Sequence, residues 1–260
     1  MNQITVITIC FNNLEDLIST SKSVDIQHKR PFEHLIIDGS SSPDIKNYLE
    51  SNTQPGYRRW ISEKDDGISD AFNKGVLNAT GDIVVMLNSG DTFYSPDVIS
   101  IVSGEFEKDE NLQWLHSKYE LHRGDNWIII GKPFAKSKMY RGMRSICHQT
   151  MFVKKGLHDK YGLYDKQLKI AMDYDFLLRI ANEKFIFIET SLVKFAPAGT
   201  SSVNYPGSLK EIKNCYRKYY GDSIFLDIWQ LRLKLLHYLL STRIGKLLFK
   251  MKKGLQLENM

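Results

Sequence analysis

Three acidic residues stand where chemistry could be done: Asp38 ends the apolar run from His34, Asp91 closes Asn88-Ser89-Gly90-Asp91 after another apolar run, and Asp173 follows Met172 in Met-Asp-Tyr-Asp-Phe-Leu-Leu-Arg. A carboxylate at the end of a parallel strand can accept hydrogen bonds from a ribose hydroxyl or a base N–H. Asn88, Ser89 and Asp91 would lie beyond a carboxyl edge, the side of an open α/β sheet where ligands bind. Asp173 opens a helical pattern, where a carboxylate can take a proton from an attacking hydroxyl within hydrogen-bond reach. It would also be an ordinary residue for a helix start. Asp175 lies about 200° further round that helix and suits an ion pair with Arg179 at i+4. Asp66 precedes a helix and could complement its dipole, worth ~0.3–1 kcal/mol.

These side chains need strands and helices to carry them. Ile4 to Phe11 reads as a first strand running into Asn12-Asn13, which can cap the helix starting at Leu14. His34 to Asp38 and Arg58 to Ser62 read as the second and third strands. Asp82 to Leu87, a continuous apolar run between Gly81 and Asn88, has the pattern of a buried parallel strand. Between the third and fourth strands, Ile68, Ala71, Phe72, Gly75, Val76 and Ala79 form a helical stripe that leaves Asp70, Asn73 and Lys74 on the polar side. Ser95-Pro96-Asp97 opens another helix. Leu112 to Leu121 and Trp127 to Ile130 read as an antiparallel pair joined around Arg123-Gly124-Asp125, followed by strands Lys184 to Glu189 and Leu192 to Phe195. The small-residue stretch from Ala196 to Gly207 suits a lid or a passive linker. Beyond it run a helix from Ser208 to Tyr220, a Gly221-Asp222-Ser223 break and a helix from Ile224 to about Lys253.

Composition narrows the function classes. A chain of 260 residues with 42% hydrophobic content has room for one large α/β domain or two small ones. Its three cysteines form no Cys-x-x-Cys pair, against a disulfide framework or zinc site. With no basic leader and no run of ~18 apolar residues, a cytoplasmic protein is expected. Residues 208–260 hold 11 of the 35 Lys/Arg and 4 of the 30 Asp/Glu, leaving the body 24 bases and 26 acids. That body lacks the basic stripe of a nucleic-acid binder. The basic tail, with Trp229 and leucines interleaved, fits an anchor on an anionic membrane through residues 224–253, or a helix packed on the domain or on a second copy in a homodimer.

The run Asp65-Asp66-Gly67 through Ala71, Asn73 and Gly75, then Gly81-Asp82, a strand and Asn88-Ser89-Gly90-Asp91, resembles the signature of family 2 glycosyltransferases, in the branch that builds bacterial surface polysaccharides. The resemblance covers roughly the first 200 residues. It implies an α/β GT-A fold, a Rossmann-like and mostly parallel central sheet flanked by helices, with a C-terminal helical extension. The glycosyltransferase domain would span 1–207, its nucleotide-sugar half 1–110 and its acceptor half 111–207, with a basic amphipathic tail over 208–260. By position, Thr8, Phe11, Asn12, Asp38, Gly39, Asn88 and Ser89 would bind the nucleotide; Thr8 and Asn12 also fit a buried strand and a cap. Asp66, Gly67, Asn73 and Lys74 would meet the donor sugar, and His148 and Gln149, on a strand, the acceptor or a phosphate. Asp173 would be the base, and Asp91 would hold Mg²⁺ or Mn²⁺.

Two departures stand out: Asn88-Ser89-Gly90 replaces the usual paired carboxylates before Asp91, and Met172 replaces a Glu. The implied reaction is inverting transfer of a hexose or N-acetylhexosamine from a UDP-sugar to a glycan or lipid-linked acceptor, in O-antigen, capsule or exopolysaccharide assembly. A non-catalytic sugar-binding relative is the first alternative. A sugar nucleotidyltransferase is the second, but it would carry a Gly-rich phosphate loop where Cys10-Phe11-Asn12-Asn13 stands. The absence of Gly-x-Gly-x-x-Gly after the first strand also argues against a dehydrogenase.

Overall fold

The structure is a computed structural model and describes residues 2–123, 126–144, 146–196 and 204–242. Strands β1 (Ile4–Cys10), β2 (Glu33–Asp38), β3 (Arg58–Ser62) and β4 (Ile83–Met86) pair in parallel in the order β3-β2-β1-β4. Here the apolar runs are buried from both sides. Along β1, Ile4 and Val6 enter one core while Ile7 and Ile9 enter the other; along β4, Val85 and Val84 divide the same way. This period-2 partition requires helices on both faces.

Helix α1 (Leu14–Asp25), α2 (Asp44–Ser51) and α3 (Ile68–Asn78) connect these strands. α3 lies so close to β1 that a Cβ on Gly75 would fall 2.4 Å from Ile7 Cγ2. Glycine costs roughly 1 kcal/mol inside a helix, and the close helix–strand packing is what it permits. α4 (Val98–Lys108) covers the opposite face through Val98, Ile99, Val102 and Phe106. The short strand β5 (Thr92–Phe93) precedes it.

The sheet does not stay parallel. β6 (Trp114–Arg123) and β7 (Asn126–Ile130) form the expected antiparallel pair, and β8 (Phe152–Lys154) inserts antiparallel between β4 and β6. The two expected strands at 184–195 are one, β9 (Phe185–Phe195), parallel to β6 with irregular register near Lys118 and antiparallel to β5. Nine strands thus form one sheet shared by residues on either side of position 110. α5 (Gly156–Tyr161) and α6 (Met172–Ile180) lie on the α3 side of this sheet.

Several local expectations change. Asn13 makes no side-chain cap; its Oδ1 accepts from Phe11 N at 3.0 Å, while Asn12 takes a left-handed φ of 53°. His148 and Gln149 lie in a 3₁₀ turn (His148–Thr150), not a strand, because pairing resumes only at Phe152. α7 spans Tyr205–Tyr220 and starts before Ser208: Asn204 Oδ1 accepts from Gly207 N at 3.1 Å and Pro206 fits the first turn. The remaining expected loop, 197–203, lies outside the described residues, as do 243–253 of the tail. α8 (Ile224–Ser241) buries Leu226, Gln230 and Leu233, and Gln230 Nε2 donates to Leu209 O at 2.6 Å.

Asn73 is a clamp. Its Nδ2 donates to Tyr164 O at 2.9 Å and its Oδ1 accepts from Tyr164 N at 2.8 Å, all buried, so it joins α3 to the segment before α6 and does not reach toward a sugar. Asn73→Ala strands both backbone groups and should lower unfolding free energy by ~2–4 kcal/mol. Urea denaturation reads this directly; a loss within ~0.5 kcal/mol would contradict the clamp.

Candidate functional site

One cleft of about 1200 Å³ runs along the carboxyl ends of β1 and β4 and on to α8. Phe11, Gly39 and Asp65 line one end, Asn88, Ser89 and Asp91 the middle with His148, Gln149 and Asp173, and Arg141, Arg144 and Trp229 the other end.

Asp91 sits in a tight turn. Gly90 has φ +98°, its N–H donates to Thr20 Oγ1 at 2.9 Å, and that hydroxyl donates to Asp91 O at 2.7 Å, so α1 pins the turn. The Asp91 carboxylate is buried; Oδ1 accepts from Ala196 N and Oδ2 from Gln149 Nε2, both at 2.8 Å. Burial pushes its pKa up to about 6, and those two hydrogen bonds oppose the rise. Beside it, Asn88 Oδ1 and Ser89 Oγ are buried without hydrogen-bond partners among the described residues. This all-oxygen donor set fits a hard cation of the Mg²⁺ or Mn²⁺ type, which completes its shell with phosphate oxygens and water. Among the described residues no group of three or more His, Cys, Asp or Glu gathers as a metal centre, so Asp91 would be the single carboxylate of this donor set.

Asp173 lies in the first turn of α6. Its Oδ1 accepts from Tyr174 N at 2.7 Å, and Oδ2 lies 3.2 Å from His148 Nδ1. His148 Nε2 lies 3.2 Å from Asn88 Nδ2. An amide nitrogen only donates, so Nε2 accepts and the ring proton belongs on Nδ1, donating to Asp173. The edge of Phe72 packs against the ring at 5.5 Å. The approach to α6 is held by Glu211 of α7, which accepts from Lys169 N at 3.2 Å, Ile170 N at 2.8 Å and Ala171 N at 2.9 Å. Asp175 is buried and pairs with Arg179 at 3.1 Å, as the i+4 spacing suggests. Met172, in place of a Glu, is core.

Phe11, Gly39, Gly67, Asn88, Ser89, Asp91, His148, Gln149 and Asp173 are brought to this cleft. Six other candidates do not line it. Thr8 is buried, with Oγ1 3.0 Å from His34 Nε2 between β1 and β2. Asn12 braces the 40–42 turn through Ser41 Oγ and Ser42 N. Asp38 is buried, its oxygens turned to Ser40 N at 3.0 Å and Ser62 Oγ at 2.8 Å, and it does not line the cleft. Asp66 is exposed beside Lys166, Lys74 turns to Glu63 and the Lys64 carbonyl, and Asn73 is the clamp already described. The sequence reading passed over Asp65. Its carboxylate occupies the space a Cβ on Gly39 would fill, at 1.7 Å, so Gly39 makes room for it. The signal was the recurrence of Asp at or just beyond the carboxyl ends of β2, β3 and β4.

The raised Asp91 pKa has a signed consequence. Between pH ~4 and ~6 the unfolded chain sheds this proton while the folded chain keeps it, so stability falls as pH rises, by up to about 3 kcal/mol. Asp91→Asn abolishes this contribution. Urea unfolding should show the variant gaining on wild type from pH 4 to pH 7, whatever constant cost its amide adds. A pH-independent difference would show that Asp91 titrates normally.

The profile of Glycosyl transferase family 2 matches residues 5–162. An uncharacterized glycosyltransferase of Mycobacterium tuberculosis is 36% identical over 227 residues, covering 83% of this chain and 85% of that protein. The fold is similar to S. aureus TarS 1-349 in complex with UDP-GlcNAc, with TM-score 0.63, 14% identity and coverage of 87% and 70%; of the longer TarS structure the chain spans 44%. It is also similar to the mannosyltransferase PcManGT of Pyrobaculum calidifontis in complex with GDP-Man and Mn²⁺, with TM-score 0.65, 14% identity and coverage of 99% and 81%. The sheet with its flanking and C-terminal helices is therefore of the GT-A type, and the chain belongs to glycosyl transferase family 2 and is a glycosyltransferase.

Proposed function

We propose that the chain transfers a hexose or N-acetylhexosamine from a UDP-sugar to an acceptor hydroxyl, with inversion at the anomeric carbon. The observation that carries this is the hydrogen-bonded series Asp173–His148–Asn88, which faces the same cleft as the oxygen-rich 88–91 turn. Nucleotide sugars bound by TarS and PcManGT support the donor class. The nucleotide lies at the Phe11 end, with the exposed Phe11 ring stacking on uracil and Asp65 taking the hydrogen-bonding role expected of Asp38.

Asp173 accepts the proton of the acceptor hydroxyl as its oxygen attacks the anomeric carbon and the bond to the nucleoside diphosphate breaks. His148 holds the Asp173 carboxylate in place through its Nδ1 proton, and Asn88 fixes that tautomer. Mg²⁺ or Mn²⁺, held by Asp91, Asn88 Oδ1 and Ser89 Oγ, would neutralise the departing diphosphate. Residues 1–110 serve the donor and 111–207 the acceptor, and α7 and α8 of the basic tail line the cleft through Leu209, Ile212, Trp229 and Leu233.

Among the described residues no helix is long and apolar enough to cross a membrane. α8 instead presents Ile228, Leu231, Leu235, Leu236 and Leu239 outward, all exposed. We place this face on the anionic cytoplasmic surface of the inner membrane, beside a lipid-linked acceptor of surface-polysaccharide assembly.

Asp173→Asn should lower turnover with UDP-sugars ~10²-fold or more while leaving UDP affinity within ~2-fold, because base loss acts on the chemical step. Nucleotide release across UDP-, GDP- and dTDP-sugars, with and without Mn²⁺, is the assay. Unchanged turnover removes Asp173 from the mechanism, and preferential use of GDP-sugars overturns the uracil assignment.

Because α8 buries its other face, truncation would open the cleft. Leu235→Glu with Leu239→Glu tests the outward face alone. Both changes should release the protein from anionic vesicles and keep UDP affinity unchanged; loss of a dimer instead would assign the face to a second copy.

A further inference from the structure

At the α8 end of the cleft, lined by Arg141, Arg144 and Trp229, the exposed Arg232 adds a third guanidinium, and among the described residues no carboxylate pairs with the three. The guanidinium carbons of Arg141, Arg232 and Arg144 lie 4.9, 5.3 and 5.6 Å from the centre of the Trp229 ring. Arg58, Arg59, Arg179 and Arg217 all pair with carboxylates, but among the described residues none of these three does. Arg141 spends one donor on Tyr140 OH at 3.1 Å. Lys169, on the same cleft wall, also lacks an acidic partner among the described residues. Trp229 Nε1 is buried with no acceptor among the described residues.

Like charges gathered on one indole repel, and each guanidinium presents a fork of donors. A buried indole N–H without an acceptor adds a cost of its own. One group relieves all of this: an anion with several oxygens. Phosphate matches guanidinium forks and can take the indole N–H on a further oxygen. The wall beside the cluster is apolar, from Leu209, Ile212 and Leu233, and leads to the exposed leucines of α8. Asp65, Asp91 and Asp173 line the same cleft, and among the described residues none of them forms an ion pair with these arginines.

We propose that Arg141, Arg144, Arg232 and Trp229 form a binding site for the phosphate or diphosphate of the acceptor, which presents the hydroxyl attached beyond it to Asp173. This rests on the transfer reaction proposed above and adds the chemical class of its acceptor. Trp229 and Arg232 lie beyond residue 162, where the family profile ends, while Arg141 and Arg144 lie within it.

The experiment is calorimetry on the full chain with three probes: inorganic diphosphate, geranyl diphosphate and UDP. Geranyl diphosphate should bind in the presence of saturating UDP. Arg144→Glu and Arg232→Glu, both at exposed positions, should weaken geranyl diphosphate about tenfold or more while changing UDP less than about twofold. Trp229→Phe, which keeps an aromatic ring and removes the N–H, should weaken it by a smaller factor. Tighter binding of geranyl than inorganic diphosphate identifies a lipid-borne phosphate; equal binding supports the anion site and assigns recognition to the phosphate alone. Displacement by UDP, or equal weakening of UDP in the variants, would hand the arginines to the donor and overturn the proposal. So would the absence of binding by both diphosphates. Failure of the transfer reading shows separately, as a wild-type protein that takes geranyl diphosphate and not UDP.

Discussion

The hydrogen bond from Gln149 Nε2 to Asp91 Oδ2 joins a turn leaving the parallel part of the sheet to a turn entering its antiparallel part. Asp91 is buried, and its carboxylate is tolerable there because Gln149 and Ala196 N each supply a donor. With Gln149 fixed, its neighbour His148 has no freedom to leave the cleft, and its ring spans Asn88 and Asp173. Four chain segments, around residues 90, 148, 173 and 196, thus meet through one buried acid.

Asn88 shows how a departure from a family pattern can carry a different task. An amide donates to an unprotonated imidazole nitrogen; a carboxylate at this place could only accept, and would demand a proton on Nε2. The amide therefore suits the tautomer in which His148 Nε2 accepts and Nδ1–H donates a hydrogen bond to Asp173. Its other atom, Oδ1, is buried with no hydrogen-bond partner among the described residues.

The strands β1, β2 and β4 were legible because each is a continuous apolar run, and burial on both faces leaves no other pattern. Asp173 at a helix start was legible too. The sequence could not say which way a polar side chain turns at a strand end. Asp38 and Thr8 turn to neighbouring strands and Asp65 turns to the cleft, although all carry similar local signals. Asn73 has the position of a ligand contact and the bonds of a clamp, a distinction that depends on Tyr164, remote in sequence. The convergence of Arg141 and Arg144 on Trp229 is likewise a product of tertiary packing, invisible to any local window.

Glu211 accepts hydrogen bonds from three successive amides that lead into the helix of Asp173. The position of that helix is therefore set from downstream, by α7. Splicing two relatives between α6 and α7 would keep Asp173 in the chain yet part it from the residue that seats it. A seam placed before Lys169 moves the acid, its anchor and the arginine-facing wall of α8 as one inheritable cassette, and leaves the donor-facing turn of the other parent untouched.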